Sequence, residues 1–155
     1  MPVISDIEYI AENQLIPAIS DAISDLLAAI DSEKDDGIVT DVPLRYHQGV
    51  SLVEGEYPSV AVMGMRETPF ADEEEWRISN FVYDIECYLV GDDPEKLEKK
   101  CLRYGRALKN ILWDAFPSRG AVETIEYPPV FSRGSVLYKG ISVIFKLLVK
   151  ENKSD

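Results

Sequence analysis

Residues 80–116 read NFVYDIECYLVGDDPEKLEKKCLRYGRALKNILWDAF, and a change of period inside them decides the fold class. At first Phe81, Tyr83, Ile85, Cys87 and Leu89 alternate with Asp84, Glu86 and Tyr88, the period of two expected of a strand with one buried and one wet face. From Leu97 the period lengthens: Leu97, Cys101, Tyr104, Leu108, Ile111 and Ala115 recur at steps of four and three, a single apolar stripe down a helix. Between the two, Asp93 offers a side-chain acceptor to the first free amides of that helix, and Pro94 supplies the φ its first turn needs. A half-apolar strand and an amphipathic helix joined by a short turn bury each other's apolar faces. The unit specifies a sheet with a helix laid across it and demands no substrate.

Upstream, Ser5 and Glu8 have the S-x-x-E spacing of a capping box, and Ile16, Ile19, Ile23, Leu26, Leu27 and Ile30 share one helical face. Pro17 interrupts that face, since proline lacks the amide donor and clashes with the preceding turn. The expectation is a kink near Gln14, or a short helix followed by a second one from Pro17. Asp35, Asp36 and Gly37 end it. Residues 38–42 are read as a short strand, 43–57 as an extended connection, 58–65 as a valine-rich strand and 68–75 as a loop. Downstream of the dominant helix, Pro117 to Gly120 cannot continue it. Residues 121–126 read as a strand that Tyr127, Pro128 and Pro129 keep at an edge or turn away from the sheet. In 135–150, Leu137, Ile141, Val143, Phe145, Leu147 and Val149 alternate with Ser142, Lys146 and Lys150, a long strand with one wet face. The order predicts an α+β domain over 1–150: an antiparallel or mixed sheet of about four to five strands packed by two main helices, followed by a polar tail, 151–155.

The chain has 155 residues, 46% of them apolar, which suits one domain with a core of its own. No apolar run approaches the roughly 18 residues needed to span a bilayer, and MPVISDIEY lacks the basic start and apolar block of a secretion signal, so a soluble cytosolic protein with no membrane partner is expected. Cys87 and Cys101 both fall on apolar faces and read as buried free thiols rather than a disulfide or a metal pair. The net charge of -12 argues against a general phosphate-binding surface. Its distribution is uneven: residues 1–91 hold 19 acidic and 4 basic side chains, residues 92–155 hold 9 and 12. Opposite signs on the two parts suit identical subunits meeting head to tail, or simply an acidic solubilising surface.

Few residues in the chain suggest chemistry. His47 is the one histidine, in the polar stretch Arg45 to Gly49, and it reads as an ordinary loop residue rather than a general base. One histidine and two separated cysteines do not make a zinc site. The acidic turn Asp31, Glu33, Asp35, Asp36, Gly37 has its glycine one place late for a calcium loop and Val42 where that loop needs glutamate. Asp72, Glu73, Glu74 and Glu75 read as a solvated run, and Asp84 and Glu86 as the wet face of a strand. No phosphate-cradling glycine loop is present. The expectation is no enzyme and no cofactor; the competing reading is a small enzyme or ligand-binding domain with its site at His47, Asp84 and Glu86.

One feature survives. The far side of the dominant helix carries Lys99, Arg103, Arg106 and Asn110, but also Leu102 and Trp113. Leu102, Arg106, Lys109 and Trp113 are spaced by four, three and four, a second stripe that packs either on another chain or beneath another part of this one. Together with Lys99 and Arg103, and with the acidic Asp72, Glu73, Glu74 and Glu75 as the complementary surface, it makes a candidate subunit interface.

The order of elements resembles the small neck and tail-completion proteins of long-tailed bacteriophages, above all the tail terminator family. What carries the likeness is the early helix ending at Ile30, the strands 58–65 and 80–90, the capped helix from Asp93-Pro94-Glu95 through Arg103-Tyr104 to Leu112, and the final strand pair closing at Val149. It covers nearly the whole length as a match of pattern rather than of a diagnostic motif. The resemblance implies a structural virion protein of the tail or neck, assembled in the host cytoplasm as a homo-oligomeric, hexameric ring. The ring would cap the tail tube protein, face a head-side connector protein and let DNA pass without specific binding. A head–tail joining or stopper protein is the alternative within the virion. Family members often carry a long hairpin arm, for which Met65 to Arg77 is the candidate segment; the resemblance brings no catalytic residue.

Overall fold

The computed structural model describes residues 6–49 and 56–152. Among them are three α-helices, α1 (Ile7–Ile10), α2 (Ile16–Lys34) and α3 (Pro94–Ala115). Six strands accompany them: β1 (Arg45–Gln48), β2 (Ser59–Asp72), β3 (Trp76–Gly91), β4 (Gly120–Glu126), β5 (Phe131–Arg133) and β6 (Val136–Asn152). The strands form one sheet in the order β1-β2-β3-β6-β4, with β5 also paired to β6. Only β1 and β2 run parallel; the other neighbours are antiparallel. This is the expected α+β fold, with a mixed sheet of six strands rather than four to five.

Two strands were not read from the sequence: the short β5, and β1, which comes from the segment read as a connection. Residues 45–48 pair in parallel with 59–62, and Leu44 N donates to Pro58 O at 2.8 Å just ahead of them. The strand expected over 38–42 does not form, because side chains satisfy its backbone instead: Thr40 N and Oγ1 both donate to Asp31 Oδ2 at 2.8 Å, and Arg103 Nη1 donates to the Ile38 carbonyl at 2.9 Å.

The reading of 68–75 as a loop is also corrected. β2 runs to Asp72 and β3 starts at Trp76, so the turn is residues 73–75, closed by Glu73 N donating to Trp76 O at 2.8 Å. Backbone pairing from Arg66↔Val82 to Asp72↔Arg77 holds this polar stretch extended, a tertiary override of weak local propensity. At the far end β6 continues through Glu151 and Asn152, paired with Arg77 and Trp76, so the polar tail expected from 151 joins the sheet for two more residues; residues 153–155 lie outside the described part.

Ser5 of the expected capping box also lies outside it. Asp6 caps α1, accepting from Tyr9 N at 2.7 Å. The interruption expected at Pro17 takes the form of a wider π turn, Ala11–Leu15, after which α2 starts at Ile16 with Pro17 in its first turn, where a missing amide costs nothing.

All helices lie on one face of the sheet. Ile19, Ile23, Leu27 and Ile30 of α2, Leu97, Cys101, Tyr104, Leu108 and Ile111 of α3, and Phe81, Tyr83, Ile85, Cys87 and Leu89 of β3 meet in one apolar cluster with Ile141 to Leu147 of β6. Ala115, placed on the buried stripe by its spacing, is exposed. The chain leaves the helix at Phe116, whose ring swings in against Phe145 at 5.6 Å and covers that end of the core instead.

Among the glycines at close approaches, two bear on where the helices sit. A Cβ on Gly64 would lie 3.0 Å from Ile7 Cδ1, which lets α1 sit on β2, where Tyr83 Oη donates to the Ile7 carbonyl at 3.0 Å. A Cβ on Gly105 would lie 2.1 Å from Tyr127 Oη, so the Tyr127 ring packs against bare α3 backbone. Beside it the buried Lys139 donates to the Pro128 carbonyl at 2.7 Å and pairs with Glu98 at 3.0 Å, tying the proline-containing segment to the helix.

Candidate subunit interface

Asp93 opens α3 by accepting from Glu95 N at 3.0 Å and Lys96 N at 3.2 Å, which sets the rotation of the helix and hence which residues face outward. Leu102 and Trp113 do face outward, 46% and 61% exposed. Lys109 Nζ lies 5.9 Å from the Trp113 ring centroid, and Lys99 pairs with Glu95 at 3.3 Å one turn back. Arg106 grips Glu33 of α2 through both guanidinium arms, at 2.9 and 3.2 Å. That hydrogen bond and charge hold the Glu33 carboxyl below its ordinary range and raise the Arg106 pKa.

Arg103 does not belong with this set. It is 4% exposed, pairing with Asp31 at 2.9 Å and with Asp36 while donating to the Ile38 carbonyl. Burial acts to raise the Asp36 pKa, but the Ile38 amide and Arg103 together outweigh it and leave the carboxyl below its usual value. So α2 covers the Arg103 side of the stripe and leaves Leu102 and Trp113 open, with Lys109 half-buried between them. The acidic turn that fails as a calcium loop is the counter-charge for an internal arginine. The sequence signal was present in an acidic cluster without a ligand pattern and an arginine beside the apolar stripe.

Between α2 and α3 lies a groove of about 240 Å³, lined by Ile30, Lys34, Asp36, Lys99, Leu102, Arg103 and Arg106. Leu102 and Ile30 are its apolar lining, and among the charged lining residues four are cations and one, Asp36, is a carboxylate.

The acidic quartet stands elsewhere, on the arm made by β2 and β3. Asp72, Glu73, Glu74 and Glu75 are all exposed at its tip. β1 pairs only with 59–62, so β2 beyond Met63 is an edge strand. The register slips between Gly64 and Arg66 and again between Pro69 and Ala71, leaving Met65 and Phe70 as the bulged residues. These same two residues are exposed, 51% and 57%. Bulges and an edge proline blunt a free edge against unwanted pairing, and they re-aim side chains. Sequence reasoning missed both, because an unpaired residue breaks the alternation that would have flagged it.

The competing site dissolves. His47, Ala61 and Glu86 stand in one row across β1, β2 and β3, which puts His47 and Glu86 about 10 Å apart by strand spacing, beyond direct proton transfer. His47 Nδ1 donates to the Gly49 carbonyl at 2.5 Å. Asp84 accepts from Ser142 Oγ at 2.7 Å, and Glu86 from Tyr88 Oη at 2.7 Å. Burial pushes the Glu86 carboxyl up, opposed by the Tyr88 hydrogen bond and reinforced by the Asp84 charge. The two thiols are buried and free; burial raises Cys87 well above its ordinary value and Cys101 to about 12, so neither is a ready thiolate. Among the described residues no group of histidine, cysteine, aspartate or glutamate side chains could hold a metal ion, and no helix is long and apolar enough to cross a membrane.

Comparison with solved structures finds likenesses of fold, one of them in a virion. A chain of the virion of a native gene transfer agent (GTA) particle matches over 89% of this chain and 98% of its own length, at 12% identity and a TM-score of 0.44. No protein-family model matches the chain, and no curated protein does.

Proposed function

We propose that the chain is a non-enzymatic structural virion protein, a tail terminator or tail-completion subunit that assembles head to tail into a ring at the end of a phage tail. The observation that carries this reading is the pairing of two separate surfaces of opposite character on one chain. One is the outward stripe of α3, with Leu102 and Trp113 exposed among Lys99, Arg106 and Lys109; the other is the arm, with Phe70 and Met65 exposed beside Glu73, Glu74 and Glu75. Exposed tryptophan and arginine are favoured interface anchors. Two different but complementary patches make a heterologous contact, which closes into a ring when the rotation allows it. The element order that resembles the tail terminator family supports the same reading. Tail tube protein below, connector above and DNA passing a lumen of like charge are the partners it implies.

The test is a variant combining Trp113→Ala and Arg106→Ala. Both side chains are exposed and Arg106 has only a surface ion pair to lose, so the monomer keeps its fold by circular dichroism while assembly weakens in sedimentation. Loss of folding assigns the stripe to the chain's own core; unchanged assembly removes α3 from the interface.

A further inference from the structure

The groove between α2 and α3 has a shape and charge that suit a particular occupant. Its volume of about 240 Å³ falls below the ~300–1,000 Å³ of small-molecule sites, room for one inserted side chain rather than a cofactor. Leu102, 46% exposed, and the buried Ile30 supply its apolar lining, and Lys34, Lys99, Arg103 and Arg106 outnumber the one carboxylate there, Asp36, which Arg103 already pairs. An apolar lining among mostly cationic side chains fits an aromatic knob flanked by carboxylates. The arm carries such a knob. Phe70 is the extra residue of the second β2 bulge, 57% exposed, and Glu73, Glu74 and Glu75 follow at the turn. Bulges turn a side chain out of the ladder, and they persist where the re-aimed residue has a use.

We propose that this groove receives the Phe70 side chain of a second copy of the chain, while Glu73, Glu74 and Glu75 of that arm pair with Lys34, Lys99 and Arg106 around it. The proposal rests on the head-to-tail reading and names the residues of its contact. Lys99 and Arg106 exchange their exposed partners, Glu95 and Glu33, at little cost, because solvent and salt screen exposed ion pairs. The arm's free edge then lies against the neighbour instead of in water.

Two measurements on the full chain test it. Phe70→Ala raises the dissociation constant for assembly about tenfold or more, the loss expected of a central anchor, with the monomer's melting temperature unchanged because Phe70 touches solvent. Separately, Phe70→Cys protein mixed with Leu102→Cys protein under mild oxidation gives a disulfide-linked dimer, whereas Phe70→Cys mixed with Ser24→Cys, an exposed position on α2 away from the groove, gives none. Wild-type-like assembly of Phe70→Ala together with no Phe70–Leu102 cross-link overturns the groove contact and leaves the ring reading standing. A wild-type chain that stays monomeric in the same runs, with no cross-link, overturns both.

Discussion

Arg103 shows how a single side chain can be misplaced by a helical wheel and still explain its surroundings. A wheel puts it outside, but α2 ends close by, and the acidic turn after it reaches over to meet the guanidinium. With both carboxylates and a carbonyl depending on one 4%-exposed arginine, Arg103→Ala is expected to lower stability by about 3 kcal/mol, the cost of breaking a buried pair from one side; urea denaturation checks it. Tyr104 next to it behaves oppositely. Its hydroxyl is buried with no hydrogen-bond partner among the described residues, so Tyr104→Phe should be neutral or add about 1 kcal/mol, because no bond is lost and a desolvated group is removed. Gly105 completes the series: Gly105→Ala drives a Cβ into the Tyr127 ring and should cost about 1–3 kcal/mol by overpacking. In a Tyr127→Ala background the same change should become neutral or favourable, since alanine is the better helix former.

Glu86 gives a pH dependence with a definite sign. Its folded pKa is raised, burial being the first cause, so the folded state holds the proton more tightly than the unfolded chain and stability falls as pH rises from the ordinary glutamate value of 4.5 through the folded value. Glu86→Gln therefore raises the melting temperature at pH 7 more than at pH 4, and Gln still accepts the Tyr88 hydroxyl. An equal effect at both pH values contradicts this placement of the charge.

Among the elements, α3 and the strand before it were legible because their periods are long and unbroken: every buried position from Phe81 to Ile111 that the alternation named is buried. Ala115 was not, because the last turn ends at a residue whose ring reaches the core by leaving the helix. The arm was not legible either. Its residues carry no alternation, and they are strand because β3 and then β6 extend beside them. The same blind spot hid Phe70 and Met65, which stand out only once pairing shows them to be the unpaired residues. On the stripe side the outward Leu102 and Trp113 were readable, whereas the covering of Arg103 depends on where α2 stops. At this level the expectation is that deleting Phe70, which restores a regular ladder at the second bulge, leaves the arm folded and weakens assembly as Phe70→Ala does, measured by sedimentation.

Taken as one body, the chain has a sheet with helices on a single face, an acidic arm at one place and an apolar stripe with a cationic rim at another. Nothing in the arrangement of His47, Asp84 and Glu86 makes a reaction centre, while the two exposed apolar sites have no cover among the described residues. A chain of -12 net charge would resist unspecific association of its copies, so assembly through these surfaces has to come from local complementarity and should weaken as salt screens it.

The most direct measurement is the mass of the purified wild-type chain by light scattering across a range of concentrations, with negative-stain images of the same sample. A head-to-tail ring predicts a closed species whose mass is one fixed multiple of 17.5 kDa, seen as annular particles and dissociating at high salt. A constant 17.5 kDa monomer at every concentration, at low salt as well as high, would contradict it.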